Sequence, residues 1–315
     1  MQIRNGSHFR QRGGNLLLAL LALAAIAPSC AGRGQTDERP LVVATTTILG
    51  DVVTNVTGDA ARVEVLMPRN ADPHDFEPSS RQAALLAGAD LVVANGLGLE
   101  EGLEDVLESV AGDGVRVLEV ASELDPLPFS VEAGDPDDHD DLDPHVWLDP
   151  LRMADVARLV ARNLHDSHPS SDWSSRAEAY AEELETAHRR ISDTLSTIPP
   201  DRRRLVTNHD ALGYLAARYG FEVVGVVIPG GSTLAEPGSE ELAALVELID
   251  AEGIRAIFAD TTEPTALADA IAGEADHLVR VVVLHTGSLG APGTAADTLI
   301  RMLEENARLI AEALG

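Results

Sequence analysis

The 315-residue sequence predicts an α/β protein of two lobes, each a parallel four-stranded sheet covered by helices, joined by one long rigid helix. Three observations predict it. Short β-branched runs alternate with helical stretches, the pattern of a parallel sheet with crossover helices. The pattern occurs twice, once in each half of the chain. Between the two sets, residues 171–196 contain neither Gly nor Pro. The length also exceeds the usual single-domain size, which agrees with two lobes.

The first set comprises strands at 41–47, 63–67, 90–94 and 115–118, with helices such as 79–88 and 100–110 between them. The second comprises strands at 204–207, 222–226, 256–259 and 281–284, with helices at 211–219, 239–252, 263–273 and 295–314. In the middle stretch Ala177, Tyr180, Leu184, Ala187, Ile191 and Leu195 recur at three- or four-residue spacing. That is one apolar stripe along about seven helical turns. A helix this long between two α/β halves reads as a stiff connector. The predicted division is a signal peptide at 1–29, a tether at 30–39, an N-terminal lobe at 40–169, the linking helix at 170–197 and a C-terminal lobe at 198–315.

The N-terminus predicts export. Arg4, Arg10 and Arg12 precede an apolar run at 16–27, followed by Pro28, Ser29 and Cys30. A basic start, a short apolar stretch and small residues describe a secretory signal. The run is short of the roughly 20 residues that span a bilayer. Cys30 is the only cysteine, so no intrachain disulfide can form. Its position resembles a bacterial lipobox, whose cysteine is lipidated and becomes the mature N-terminus, although Ala27 stands where leucine is commoner. The expected location is extracytoplasmic, with the chain anchored to the membrane through Cys30 and a polar tether.

Composition narrows the partners. Aromatic residues are 3% of a chain that is 45% hydrophobic, so Val, Leu, Ile and Ala must fill the core. The net charge of −29 argues against nucleic acid, whose phosphates are bound by clustered basic residues. A monomer is expected. Residues 134–144, with one histidine (His139) among many aspartates, are too acidic and Pro-broken for regular structure and read as a solvated loop.

Of ten histidines, His165, His168 and His188 fall on polar helix faces and His277 in a surface turn. Three others share a different setting, at or just beyond a turn and beside an acid. His74 follows Asp72-Pro73, His145 follows Asp143-Pro144, and His209 precedes Asp210. In open parallel sheets, ligands bind outside the carboxyl ends of strands. Loops after strands in two lobes therefore converge on the cleft between them. Proline fixes the backbone before His74 and His145, and neighbouring carboxylates could orient the rings. Three imidazoles suit zinc better than calcium or magnesium, which prefer oxygen.

At these residues the sequence resembles the zinc and manganese solute-binding proteins of bacterial ABC importers. The likeness runs from Leu41 to Gly315 and includes Asp72-Pro73-His74-Asp75-Phe76-Glu77-Pro78, Asp143-Pro144-His145-Val146-Trp147-Leu148-Asp149-Pro150 and Asn208-His209-Asp210-Ala211-Leu212-Gly213-Tyr214. It implies a receptor that captures a metal ion on His74, His145 and His209 and delivers it to a membrane permease. Histidine at the third position looks like the zinc-type members, with manganese or iron as the alternative. The fourth position departs from the family, because Gly287 stands where aspartate is usual. Candidates for its replacement are His285, Asp260 and a water molecule. The acidic segment with His139 resembles the longer His-rich insert of zinc receptors. A zinc hydrolase is the rival class, since three histidines and water also describe a catalytic centre. The sequence carries no His-Glu-x-x-His and no Gly-x-Ser-x-Gly, and the expectation is therefore a receptor, not an enzyme.

Overall fold

The structure, a computed structural model, describes residues 38–130, 142–169 and 172–315. The expected signal peptide, Cys30, most of the tether, His139 and most of the acidic segment lie outside the described residues.

The first sheet is built from Leu41–Ala44 (β1), Arg62–Val65 (β2), Leu91–Ala94 (β3) and Val117–Glu119 (β4). Its order is β2-β1-β3-β4, and all pairs are parallel. Helices Thr47–Thr57 (α1), Ser80–Ala87 (α2) and Glu104–Gly112 (α3) connect its strands. Two helices follow, Pro150–Ser167 (α4) and Trp173–Ser196 (α5). The second sheet contains Arg204–Thr207 (β5), Glu222–Val226 (β6), Ala256–Asp260 (β7) and Arg280–Leu284 (β8), parallel throughout in the order β6-β5-β7-β8. Its helices are Gly213–Tyr219 (α6), Ser239–Glu252 (α7), Ala266–Glu274 (α8) and Leu299–Leu314 (α9). Both sheets thus share one topology, with the order reversing between β1 and β3 and between β5 and β7. Crevices for ligands open at the carboxyl ends of such strand pairs.

Strand alternation divides the core. Val42, Ala44, Leu91 and Val93 face inward to the central cluster, whereas Leu41, Val43, Val92 and Ala94 face the outer helices α2 and α3. The second sheet does the same, with Leu205, Ala256 and Phe258 inward and Val206 and Ile257 outward. Successive side chains on a strand point to opposite faces, so each strand serves two layers. The central cluster runs from one sheet to the other through α1, α4, α5 and α9. The apolar stripe of α5 is buried along its length, from Trp173 and Ala177 to Ile191 and Leu195. It packs on α1 and α4 at one side and on α6 and α9 at the other.

Several boundaries differ from expectation for local reasons. The strand predicted at 41–47 ends at Ala44 because Thr46 caps α1, its hydroxyl accepting from Leu49 N at 3.1 Å. Ser79 caps α2 in a reciprocal pair with Gln82. The stretch 100–110 splits into a tight turn at Glu101–Leu103 and then α3. Helix α4 was expected only around His165 and not from its start, although Asp149 caps it and Pro150 opens it, a strong start signal. Asp143, assigned to the solvated loop, is fully buried, and the neighbouring Leu142 pairs with Pro128. His188, expected to be exposed, stacks on Tyr219 with ring centroids 5.6 Å apart.

Candidate metal centre

His74, His145 and His209 arrive from three separate loops. His74 lies after β2, its backbone N–H held by Asp72 Oδ1 at 3.0 Å. His145 sits in the turn before α4, its backbone N–H donating to Asp143 Oδ1 at 2.9 Å. His209 follows β5, at the point where the second sheet reverses its order. The loops bring all three rings together and bury them, with 3%, 1% and 4% exposure. Ring centroids are 5.1–5.6 Å apart. The Nε2 atom of His145 is 3.4 Å from that of His74 and 3.3 Å from that of His209.

Carboxylates stand behind the rings. Asp143 Oδ1 lies 2.8 Å from His145 Nδ1. Glu263 Oε1 lies 3.2 Å from His209 Nδ1, and Glu263 also accepts from the Asn208 side chain. Glu101 stands further from His74, 3.7 Å from Nδ1. A carboxylate that accepts from Nδ1–H fixes the tautomer and turns the Nε2 lone pair toward the common centre. Asp143 is itself held in place, since Tyr214 Oη donates to its carbonyl at 2.7 Å and accepts from Leu127 N at 3.0 Å. Trp147 packs edge-on against His145 and donates from Nε1 to Thr286 O at 2.6 Å.

Burial sets the electrostatics. It lowers the pKa of His74 to about 2, helped by repulsion from the other two rings. Burial also holds His145 well below the ordinary imidazole range. His209 goes the other way. Burial opposes its charge, but the hydrogen bond and charge of Glu263, with Asp260 and Asp72, outweigh that and raise it. Asp143 is pushed up to about 8 by burial. Two neutral rings and one that favours a proton therefore face one point, and together they could hold a transition-metal ion.

His285 and Asp260 lie differently. Asp260 ends β7 and is buried, with Oδ1 accepting from the Thr261 hydroxyl and Thr262 N at 3.2 Å each and from Thr286 N at 3.4 Å. His285 is half-buried outside the three-ring cluster. Its Nδ1 is 3.4 Å from Thr261 Oγ1, and Asn306 clamps its backbone. Glu263 was missed because it is remote in sequence from His209 and carries no motif of its own.

A cleft of about 430 Å³ opens beside His74 between Leu97, Glu101, Phe129, Pro144 and Ser232. Phe129 lies so close on Gly231 that a Cβ there would overlap its ring. Ser232 donates to Glu101 at 2.7 Å and Thr233 to Asp72 at 2.6 Å, joining the two halves beside His74. A larger groove of about 650 Å³ between α3 and β4 does not touch the imidazoles.

Two parallel α/β lobes that bury an imidazole cluster between them define the metal solute-binding receptors of bacterial ABC importers. The chain belongs to the family described as zinc-uptake complex component A, periplasmic, whose pattern matches residues 42–313. The zinc-binding protein TroA of Treponema pallidum is 30% identical over 88% of this chain and 90% of its own. Its solved structure superposes with a TM-score of 0.78, covering 88% of this chain and 99% of that one. The manganese-binding lipoprotein MntA of Bacillus subtilis is also 30% identical, over 95% of this chain and 97% of its own. The chain is accordingly an extracytoplasmic metal-binding receptor whose partner is an ABC permease. Among the described residues, no helix is long and apolar enough to cross a membrane.

Proposed function

We propose that this receptor captures zinc on His74, His145 and His209 and hands it to its permease. The observation that carries the reading is the nitrogen spacing. A tetrahedron with metal–nitrogen arms of 2.0–2.1 Å has edges of about 3.3–3.4 Å. The Nε2 separations of 3.3 and 3.4 Å match those edges. Glu263 behind His209 favours the same reading, because a carboxylate that accepts from Nδ1–H leaves the inward nitrogen as a lone-pair donor. In this scheme the N-terminal lobe supplies two ligands, the C-terminal lobe supplies one, and α5 sets their separation. Cys30 would tether the mature chain to the membrane, and no turnover is expected of it.

Manganese is the second reading, favoured by the likeness to a manganese-binding lipoprotein. Titrating the chelator-stripped mature chain with each metal against a chromophoric competitor decides between them. Zinc should bind more tightly than manganese, and His145→Ala should weaken zinc by at least about 100-fold. Tighter manganese binding overturns the choice of metal. Failure to bind either metal overturns the site.

A further inference from the structure

The first sheet reverses its order between β1 and β3, and Glu100 bridges the crevice at that point. Its carboxylate accepts from Thr45 Oγ1 at 2.7 Å, from Asn95 N at 2.7 Å and from Gly96 N at 3.0 Å. Thr45 follows β1 and Asn95 follows β3, so one side chain ties the carboxyl ends of both strands together. Glu100 is buried, and burial raises its pKa against the lowering effect of these donors. A carboxylate taken out of water persists where hydrogen bonds replace its hydration. The chain has to double back between Gly96 and Glu100 for the carboxylate to reach the two amides. Gly96, Leu97 and Gly98 make that turn, with φ of 79°, 55° and 73°. Left-handed backbone suits glycine and is uncommon for leucine, so Leu97 is held there under strain.

Asn95 turns this clasp toward the metal centre. It is buried, and its backbone is fixed on both sides, N to Glu100 and O to Ala121 N at 2.9 Å. Its side-chain amide donates to Pro144 O at 2.9 Å and to Gly96 O at 3.0 Å. Proline has no N–H, so the carbonyl is the one backbone group by which Pro144 can be held. That carbonyl also accepts from Val146 N at 2.8 Å, which occupies its second lone pair. His145 is the next residue. Its Nε2 stands 3.3 Å from that of His209 and 3.4 Å from that of His74, so a small shift of this segment changes both spacings.

We infer that Asn95, held by Glu100, is a positioning residue for His145: its amide fixes the Pro144 carbonyl to the first sheet and so sets where the ring stands. The inference rests on the three-imidazole reading. Neither Asn95 nor Glu100 belongs to the imidazole cluster. Tyr214 and Trp147 tie the same segment to the other half, through Asp143 O and Thr286 O. Asn95 opposes them from the first sheet, so His145 is clamped between the halves instead of following one of them. Glu100 makes the clamp stiff, because moving Asn95 strips hydrogen bonds from a carboxylate that water does not reach. The role calls for a donor at position 95 and an acceptor at position 100.

The test compares Asn95→Ala and Glu100→Gln with the wild-type chain and with His145→Ala. Zinc affinity is read by chelator competition and folding by circular dichroism. Coordination is read by the visible absorption of bound cobalt(II), whose bands are strong in a four-coordinate site. Asn95→Ala should weaken zinc by about 10–100-fold, the usual effect of removing a group that orients a ligand. It should also reduce the cobalt bands while the folded spectrum is kept. Glu100→Gln preserves the side chain's shape but sets an amide NH2 against a backbone N–H, and should act in the same direction. It carries the test if Asn95→Ala does not fold. Because Asn95 acts on one ring, Asn95→Ala on a His145→Ala background should cost nothing further. Wild-type affinity and cobalt bands in both variants overturn the proposal. An equal loss on the His145→Ala background overturns it too, since Asn95 then acts through the fold at large. Unchanged zinc affinity in His145→Ala overturns the three-imidazole reading itself, which separates that failure from failure of the clamp.

Discussion

At the scale of single residues, the site is a set of nitrogen lone pairs whose availability depends on protons. His74 and His145 are kept neutral by burial, so neither needs to lose a proton before binding a cation. His209 is the exception, because Glu263 and the nearby aspartates raise its pKa above the ordinary 6.5 against the effect of burial. A ligand whose pKa is raised competes for protons sooner as pH falls. Zinc affinity should therefore be level in alkaline buffer and begin to fall while the pH is still above 6.5, by about tenfold per pH unit for one displaced proton. Calorimetry in buffers of different ionisation heat should count a proton release per zinc that rises toward one as the pH is lowered. In Glu263→Gln the fall should start at a lower pH. An unchanged profile in that variant would remove Glu263 from the account. Much of this site was legible in sequence, because Pro73, Pro144 and the strand before His209 mark positions where a ring can be held at a strand's carboxyl end. Asp143 was visible as a neighbour of His145, but its burial was hidden by the acidic run around it. Glu263 was not legible at all, since nothing local ties it to a ring 54 positions earlier.

At the scale of elements, one contact joins three helices that the sequence keeps far apart. Asp51 of α1 accepts from Tyr180 Oη of α5 at 2.8 Å and from Leu299 N, at the start of α9, at 3.2 Å. Burial nevertheless raises its pKa above 3.8. The folded state then holds this proton more tightly than the unfolded chain, so Asp51 contributes stability that is present below pH 3.8 and lost as pH rises through its folded value. Asp51→Asn keeps an acceptor for both donors and carries no charge. Urea unfolding of this variant and the wild type from pH 4 to 7 should show the variant gaining relative stability as pH rises; a constant difference would refute the linkage. Tyr180→Phe should cost about 1–3 kcal/mol by leaving a buried carboxylate short of one donor. The two sheets and α5 could be read from β-branched runs and a 3.6-residue stripe. The start of helix α4 escaped because its signal, Asp149-Pro150, falls inside the segment already assigned to the His145 motif. Strand ends shifted for a related reason: Thr45, Thr46 and Thr47 favour extended backbone, yet the Thr46 hydroxyl serves α1 as a cap.

At the scale of the whole molecule, the central core bears on how the receptor moves. Residues from both sheets, among them Val42, Leu91, Leu205 and Phe258, belong to one apolar cluster that passes through α1, α4, α5 and α9. Opening a wide hinge would pull buried side chains such as Trp173 and Leu184 into water, at about 25 cal/mol for each Å² exposed. Small shifts of the loops beside His74, such as those carrying Thr233 and Ser232, disturb little of that core. The lobes should therefore unfold together. Calorimetric melting of the metal-stripped protein should give one transition, and zinc should move it upward as a whole. Free zinc at 100 times its dissociation constant adds about 2.7 kcal/mol, which for a chain of this size corresponds to a rise of roughly 4–5 °C. The radius of gyration in solution should stay the same with and without zinc, because the shared core holds the lobes at a fixed separation. Two resolved transitions, only one of them responsive to zinc, would show that the lobes are energetically separate and that the helix layer between them is a linker, not a common core.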